Sequence, residues 1–250
     1  MSNGLTQLLA VARSGMLARM FDLDVVGANL ANVNTNGYKG ARANFQEMLS
    51  AAGATGTPNG AGPRATQNLM TPGTLRITSN PLDLAIEGEG FFAVTLPDGR
   101  TAYTRDGAFQ RDANNQIVTA AGLPLVWEGQ LPANLEDMHV NPDGTVMVKQ
   151  AGAWSQAGRI PLARFANPTA LAGYGQNAWL ATDASGPAQT GNPTTDGFGV
   201  LHGNALESSN VNLAEEMTHL IALQRAYSLS VRAFQQTDHM FDLAIQMRRG

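Results

Sequence analysis

Few residues in this chain stand at spacings that could do chemistry, and each has a plainer reading. Glu87 and Glu89 are two apart, so on a strand they share a face, as a carboxylate pair for acid–base work would. The plainer reading is two solvated residues flanking Gly88. Gly88-Glu89-Gly90 opens like a phosphate loop but lacks the third glycine and the following helix. Glu215 and His219 lie one helical turn apart, the spacing of two metal ligands, and no second pair completes a site. A solvated helix face accounts for them. Asp112-Ala113-Asn114-Asn115 echoes a calcium loop without its distal glutamate and reads as a hairpin turn. His139, His202, His219 and His239 have no serine–aspartate arrangement that sequence supports. With no cysteine, disulfides, thiolate metal sites and cysteine nucleophiles are excluded. The expectation is a chain without catalytic, cofactor-binding or metal-binding residues.

Composition points the same way. The chain has 250 residues, 16 Lys+Arg against 20 Asp+Glu, and a net charge of −4. Without a basic cluster it is a poor nucleic-acid binder. Only 14% of residues are charged, against about 25% in an ordinary domain, and 27 glycines and 12 prolines are in excess. Such a surface suits coverage by another protein. No run of 18 apolar residues exists, so no membrane-spanning helix is expected. The N-terminus does not read as a signal peptide, since no basic region precedes the apolar residues 5–11 and Arg13 follows them.

The elements that carry these residues divide the chain by texture. At the N-terminus, apolar residues recur at Leu5, Leu9, Ala12, Met16, Leu23, Val26, Leu30 and Val33, a heptad period that predicts a coiled-coil helix. The run 34–37 ends it, with Gly37 suited to a left-handed exit. At the C-terminus the seam reads Leu213, Met217, Leu220, Gln224, Tyr227, Val231, Phe234, Asp238, Phe241, Ile245 and Arg248. Asn210 or Asn212 caps this helix, and Glu215 and Glu216 complement the dipole of its first turn. Gln224 and Asp238 either set register in a multi-helix assembly or face solvent. Helices of this length, roughly 43 and 54 Å at about 1.5 Å per residue, need partners along their stripes: each other, copies of themselves, or both.

Between them the period changes. Residues 82–86, 90–96, 117–119, 146–148 and 160–165 are short apolar runs, with turn residues at 97–99, 105–107, 112–115 and 142–144. This predicts an all-β sandwich or partly open barrel. The run 51–63 is rich in Gly, Ala and Pro and reads as a linker. The expected class is therefore α+β: long terminal helices pairing as a coiled coil around a central β domain. The expected divisions are 1–37 for the first helix, 38–75 for the linker, 76–205 for the β domain and 206–250 for the last helix. That is the plan of a self-assembling axial protein more than of an enzyme; a binding module on a coiled-coil stalk is the alternative from another class.

Here the residues carry a resemblance. Residues 28–39, ANLANVNTNGYK, with Asn29, Leu30, Ala31, Asn32, Asn34 and Gly37, resemble the N-terminal signature of bacterial flagellar rod, hook and hook-associated proteins. Residues 207–217, with Glu207, Ser209, Asn210 and Val211, resemble the matching C-terminal signature, and 80–92 and 103–109 are similar to the central motif of that family. Nearly the whole chain is covered. The distal rod branch is the nearer likeness and the proximal rod branch the alternative. The resemblance implies a structural subunit of the basal-body rod, a hollow drive shaft that passes torque from motor to hook and lets later subunits through. It further implies helical self-polymerisation, contact with other rod proteins, the hook protein and the rod-surrounding rings, and export by the flagellar type III apparatus into the periplasm without a cleaved signal. No small-molecule substrate or cofactor is implied.

Overall fold

A computed structural model describes the backbone of residues 2–49 and 58–249 and the side chains of residues 11–45 and 65–240. The chain forms two compact units. One contains residues 1–31, 41–69 and 212–250, the other residues 32–40 and 70–211.

The first unit holds helix α1 (Ser2–Ala31), helix α2 (Leu213–Arg249) and an antiparallel pair, β1 (Ala41–Leu49) and β2 (Pro58–Asn68). Asn212 starts α2: its side-chain Oδ1 accepts from the Ala214 N–H at 3.0 Å and its carbonyl from the Glu216 N–H at 3.0 Å. Strand β2 occupies part of the run that its composition marked as a linker. A ladder is made of backbone bonds, so a run of Gly, Ala and Pro can join one, and the register shifts at Asn44/Phe45, where Phe45 faces Pro63. Proline has no N–H to give, so an irregular ladder is expected there.

The two long terminal helices and the β-rich centre are present; the coiled-coil pairing is corrected. Helix α1 touches α2, and it also packs on β1 and β2. With two neighbours its burial spreads over a wider arc than one heptad stripe. Among its described side chains the buried ones are Ala18, Asp22, Val25, Val26 and Asn29; Val26 lies on the predicted seam, and Asp22, Val25 and Asn29 lie one position before it. Met16, Leu23 and Leu30 are only half-buried. Among the described side chains of α2 the buried ones are Leu223 and Thr237, with Leu220, Tyr227, Val231 and Phe234 half-buried. Leu213 and Met217 are 51% and 44% exposed, and Gln224 and Asp238 face solvent. Thr237 can be buried because its hydroxyl donates to the Ala233 carbonyl at 2.8 Å. Leu5, Leu9, Phe241, Ile245 and Arg248 lie outside the described side chains. No helix among the described residues is long and apolar enough to cross a membrane.

The second unit is built of short antiparallel strands. Strands Ala172–Gly175, Ala178–Leu180, Thr101–Thr104 and Phe92–Thr95 form one sheet, and Asp137–Val140, Thr145–Gln150, Ala153–Arg159 and Glu128–Gly129 another. Two-stranded pairs complete it, among them Leu84–Glu87 with Val200–Gly203 and Leu75–Ile77 with Ala205–Glu207. The first sheet has a core on both faces. Alternation sends Phe92, Val94, Ala102 and Ala178 into one buried cluster with Phe109, Ile117, Ile160, Leu162 and Leu201. It sends Phe91, Tyr103 and Trp179 into a second, with Phe165 and Leu171. Phe91 meets Phe165 and Trp179 edge-to-face at 6.0 and 6.1 Å, and Phe92 meets Phe109 at 5.1 Å. Each such buried side chain contributes roughly 1.5–3 kcal/mol.

Candidate functional site

The two signatures, at opposite ends of the sequence, meet inside the second unit. After α1 the chain turns at Asn32, whose carbonyl accepts from the Thr35 N–H at 3.1 Å, and leaves through Gly37 at φ +65°. A Cβ on Gly37 would lie 2.5 Å from the Arg105 carbonyl carbon, so both backbone conformation and space require glycine there. The Gly37 N–H donates to the Glu207 carbonyl at 2.7 Å, and the Asn210 N–H to the Tyr38 carbonyl at 3.3 Å. The Asn210 side chain accepts from the Gly40 N–H at 2.7 Å and donates to the Thr71 carbonyl at 3.0 Å. Asn177 donates to the Asn36 carbonyl at 3.1 Å.

Beneath this weave lies a buried ion cluster. Lys39 and Glu207, 168 residues apart in sequence, join Nζ to Oε1 at 2.5 Å. Arg105 Nη1 stands 3.4 Å from the other carboxylate oxygen. Side-chain exposure is 1% for Lys39, 0% for Glu207 and 5% for Arg105, which makes this an interior group rather than a surface pair. Two cations share one carboxylate, carbonyls accept from Lys39 Nζ and from both terminal nitrogens of Arg105, and Arg105 Nε is left buried without an acceptor. Lys39 also donates to Thr71 at 2.9 Å, and Arg105 to Ile86 at 3.2 Å and Gly88 at 2.6 Å. The Gly73 N–H donates to Glu207 Oε1 at 2.7 Å, and a Cβ on Gly73 would meet the Ser208 carbonyl oxygen at 2.0 Å. Burial lowers the pKa of both Lys39 and Arg105 from their ordinary values, and Glu207 opposes both shifts. Next to Arg105, burial raises Asp106 above 3.8.

The first unit has its own clamp at Asn29. The Asn29 amide donates to the Ala41 carbonyl at 2.8 Å and accepts from the Ala41 N–H at 2.9 Å, a pair of hydrogen bonds to one residue's backbone. The same amide donates to Glu216 Oε1 at 2.9 Å, tying α1 to the first turn of α2.

The structure therefore brings Gly37, Glu207 and Asn210 together and places Asn29 at the separate clamp. Asn32 caps the turn beside them and accepts from the Thr35 hydroxyl at 3.2 Å. Leu30, Val33 and Val211 are half-buried, and Ala31 and Asn34 are exposed. Ser209 Oγ accepts from the Val211 N–H at 3.3 Å. Lys39, Arg105 and Gly73 were not singled out by their types. Arg105 read as turn chemistry, and pairing across so long a separation leaves no local pattern. The one available clue was that charges are scarce here, so a charge inside each motif stands out.

The candidate chemical residues separate. Glu87 Oε2 lies 2.6 Å from His202 Nε2, both partly exposed, while Glu89 lies 3.9 Å from Arg164. Gly88 offers its carbonyl to Arg105 instead of an N–H to a phosphate. His219 lies 3.8 Å from Asp22 of α1, and Glu215 is exposed. Asp112 Oδ1 accepts from the Asn114 and Gln116 N–H groups at 2.9 and 2.7 Å, the side-chain-closed turn of a hairpin. His139 and His239 are exposed.

The interior ion cluster joins segments far apart in sequence, and among the described residues no group of acidic or histidine side chains converges as a metal-ligand set. Three family models match: "Flagella basal body rod protein" over residues 9–39, "Flagellar hook protein FlgE/F/G D1 domain" over 85–148, and "Flagellar basal body rod FlgEFG protein C-terminal" over 202–247. Lys39, Arg105 and Glu207 come one from each matched segment. The chain belongs to the flagellar basal-body rod protein family. It is 38% identical to the flagellar basal-body rod protein FlgG of Caulobacter vibrioides, over 97% of this chain and 99% of that one. It is 35% identical to FlgG of Buchnera aphidicola subsp. Acyrthosiphon pisum, over 96% and 98%. It is 32% identical to the rod protein FlgF of Mesorhizobium japonicum, over 95% and 96%.

Proposed function

We propose that this chain is a structural subunit of the flagellar basal-body rod, in its distal section. In that role copies polymerise into a hollow shaft that carries torque from the motor to the hook and lets exported subunits pass. The observation that carries the reading is end-to-end likeness to proteins named FlgG, at 35–38% identity over nearly the full length of both chains. The distal position is favoured because the FlgF-named relative stands lower, at 32%. Proximal placement is the alternative.

The physical form suits that work. On α2, Leu213, Met217, Ile221 and Leu229 are 44–63% exposed, and on α1 Leu17 and Met20 are about half exposed. Uncovered apolar helix faces gain roughly 25 cal/mol per Å² when a neighbour covers them. Contacts that join unlike faces of successive copies do not close, and so extend a filament. The partners in this reading are copies of the chain, other rod proteins, the hook protein and the rings around the rod. The chain crosses the periplasm as part of the rod, having left the cell through the flagellar type III apparatus. Its role is mechanical, not catalytic.

The test is replacement of the gene by variants lacking residues 2–31 or 213–249 in a flagellated cell. Isolated basal bodies are expected to lack the hook, and the cells to be non-motile. Complete basal bodies with either deletion refute the reading. Density for the chain beside the hook supports the distal position, and density near the export gate supports the proximal one.

A further inference from the structure

We infer that the strand Leu75–Ile77 of one copy docks in the cleft lined by Met70, Phe91, Phe165 and Glu89 of the next copy; the inference rests on the rod reading above. The strand is exposed at every residue, and Ile77 is 87% exposed. It pairs with Ala205–Glu207, whose three residues are all buried, while Leu75 is 38% exposed at the edge and Ile77 stands out almost entirely. An apolar strand left this bare is an interface in waiting. Alternation gives it an apolar side, Leu75 and Ile77, and a cationic side, Arg76.

The cleft, about 610 Å³, offers both complements. Met70, Pro72, Phe91, Phe165 and Pro168 provide apolar wall. Of its charges, Arg105 is already engaged by Glu207, Ile86 and Gly88. Arg164 donates to Asp196 and Gln189 and lies over the Phe198 ring at 5.2 Å. Glu89 is the open one: its side chain is 74% exposed, with Arg164 no closer than 3.9 Å. A site whose available charge is a carboxylate beside aromatic wall fits an apolar strand carrying one arginine. A second copy of this chain supplies such a strand. Strand and cleft are different surfaces, so the contact propagates from copy to copy.

The absence of cysteine makes the test clean. Arg76→Cys and Glu89→Cys are made as separate full-length chains and co-expressed in flagellated cells, and isolated basal bodies are oxidised. A disulfide-linked dimer that appears only with both variants is expected. No cross-link, or an equally strong Arg76→Cys homodimer, overturns the docking. In the second arm, Arg76→Glu is expected to lower swarming at least tenfold, and Arg76→Glu with Glu89→Lys in the same chain to restore it; failure to restore overturns the pairing. Ile77→Ser, at an exposed position, is expected to unfold at the wild-type denaturant concentration while losing assembly. If basal bodies contain no wild-type chain at all, the rod reading falls and takes the docking with it. If they contain the chain but no cross-link forms, the docking alone falls.

Discussion

Removing Glu207 tests whether the buried cluster holds the two ends of the sequence together. Glu207→Leu leaves the Gly73 N–H without its acceptor, a loss of about 1–3 kcal/mol. It also leaves two buried cations with no counter-charge. Lys39 can escape by releasing its proton, and this bounds its share. At about 1.4 kcal/mol per pH unit, deprotonating a group of ordinary pKa 10.5 at neutral pH costs about 5 kcal/mol. Arg105 has no such exit and relies on the Ile86 and Gly88 carbonyls. A total of about 3–5 kcal/mol is expected, the range for breaking a buried pair from one side. Lys39→Met should cost less, because one cation and one carboxylate remain. The assay is urea unfolding of the full chain followed by tryptophan fluorescence. All 3 tryptophans, at positions 127, 154 and 179, lie in the second unit, so the signal reports that unit. Arg100→Ala is the control, since its pair with Asp98 is 58% and 47% exposed and should change stability by under about 0.5 kcal/mol. A Glu207→Leu loss as small as the control's, or a Lys39→Met loss that exceeds it, would refute the reasoning.

Asn29→Ala removes both bonds to the Ala41 backbone and the bond to Glu216, and should destabilise the first unit by about 2–4 kcal/mol, read by helix circular dichroism on urea titration. Gly37→Ala must strain a φ of +65° and push against the Arg105 carbonyl 2.5 Å away, so a loss above about 2 kcal/mol is expected in the fluorescence assay. Asp106 has a raised pKa in the folded state, so the folded chain holds its proton more tightly than the unfolded chain. Its contribution is present below 3.8 and is lost as pH rises through the raised value, and Asp106→Asn should flatten that part of the stability–pH curve. Met217→Ser and Ile221→Ser, at exposed positions, should leave monomer unfolding within about 0.5 kcal/mol yet abolish motility; unchanged motility argues against coverage of this face by a neighbour.

Legibility followed the range of the forces involved. The helices were visible because their period is local, and Asn212 is a cap for reasons confined to four residues. The turn at Asp112 was likewise readable from its own side chain. A heptad count displaces the seam because it assumes one partner per helix, whereas α1 serves both α2 and the β1/β2 hairpin. The β1/β2 hairpin is not legible in sequence, because backbone pairing of Gly, Ala and Pro has no hydrophobic signature.

By itself, then, the sequence determined the two terminal helices, the β-strand texture between them, the lack of thiol chemistry and the resemblance to flagellar rod proteins. These rest on periodicity, composition and contiguous motifs, which need no knowledge of distant neighbours. Only the tertiary structure decided that Lys39, Arg105 and Glu207 share one interior site, that Asn29 clamps Ala41 and Glu216, and which apolar residues stay uncovered. The physical reason is that burying a charge is costly wherever it occurs, so a buried cation persists only where the fold delivers a counter-charge. For Lys39 that counter-charge comes from 168 residues away.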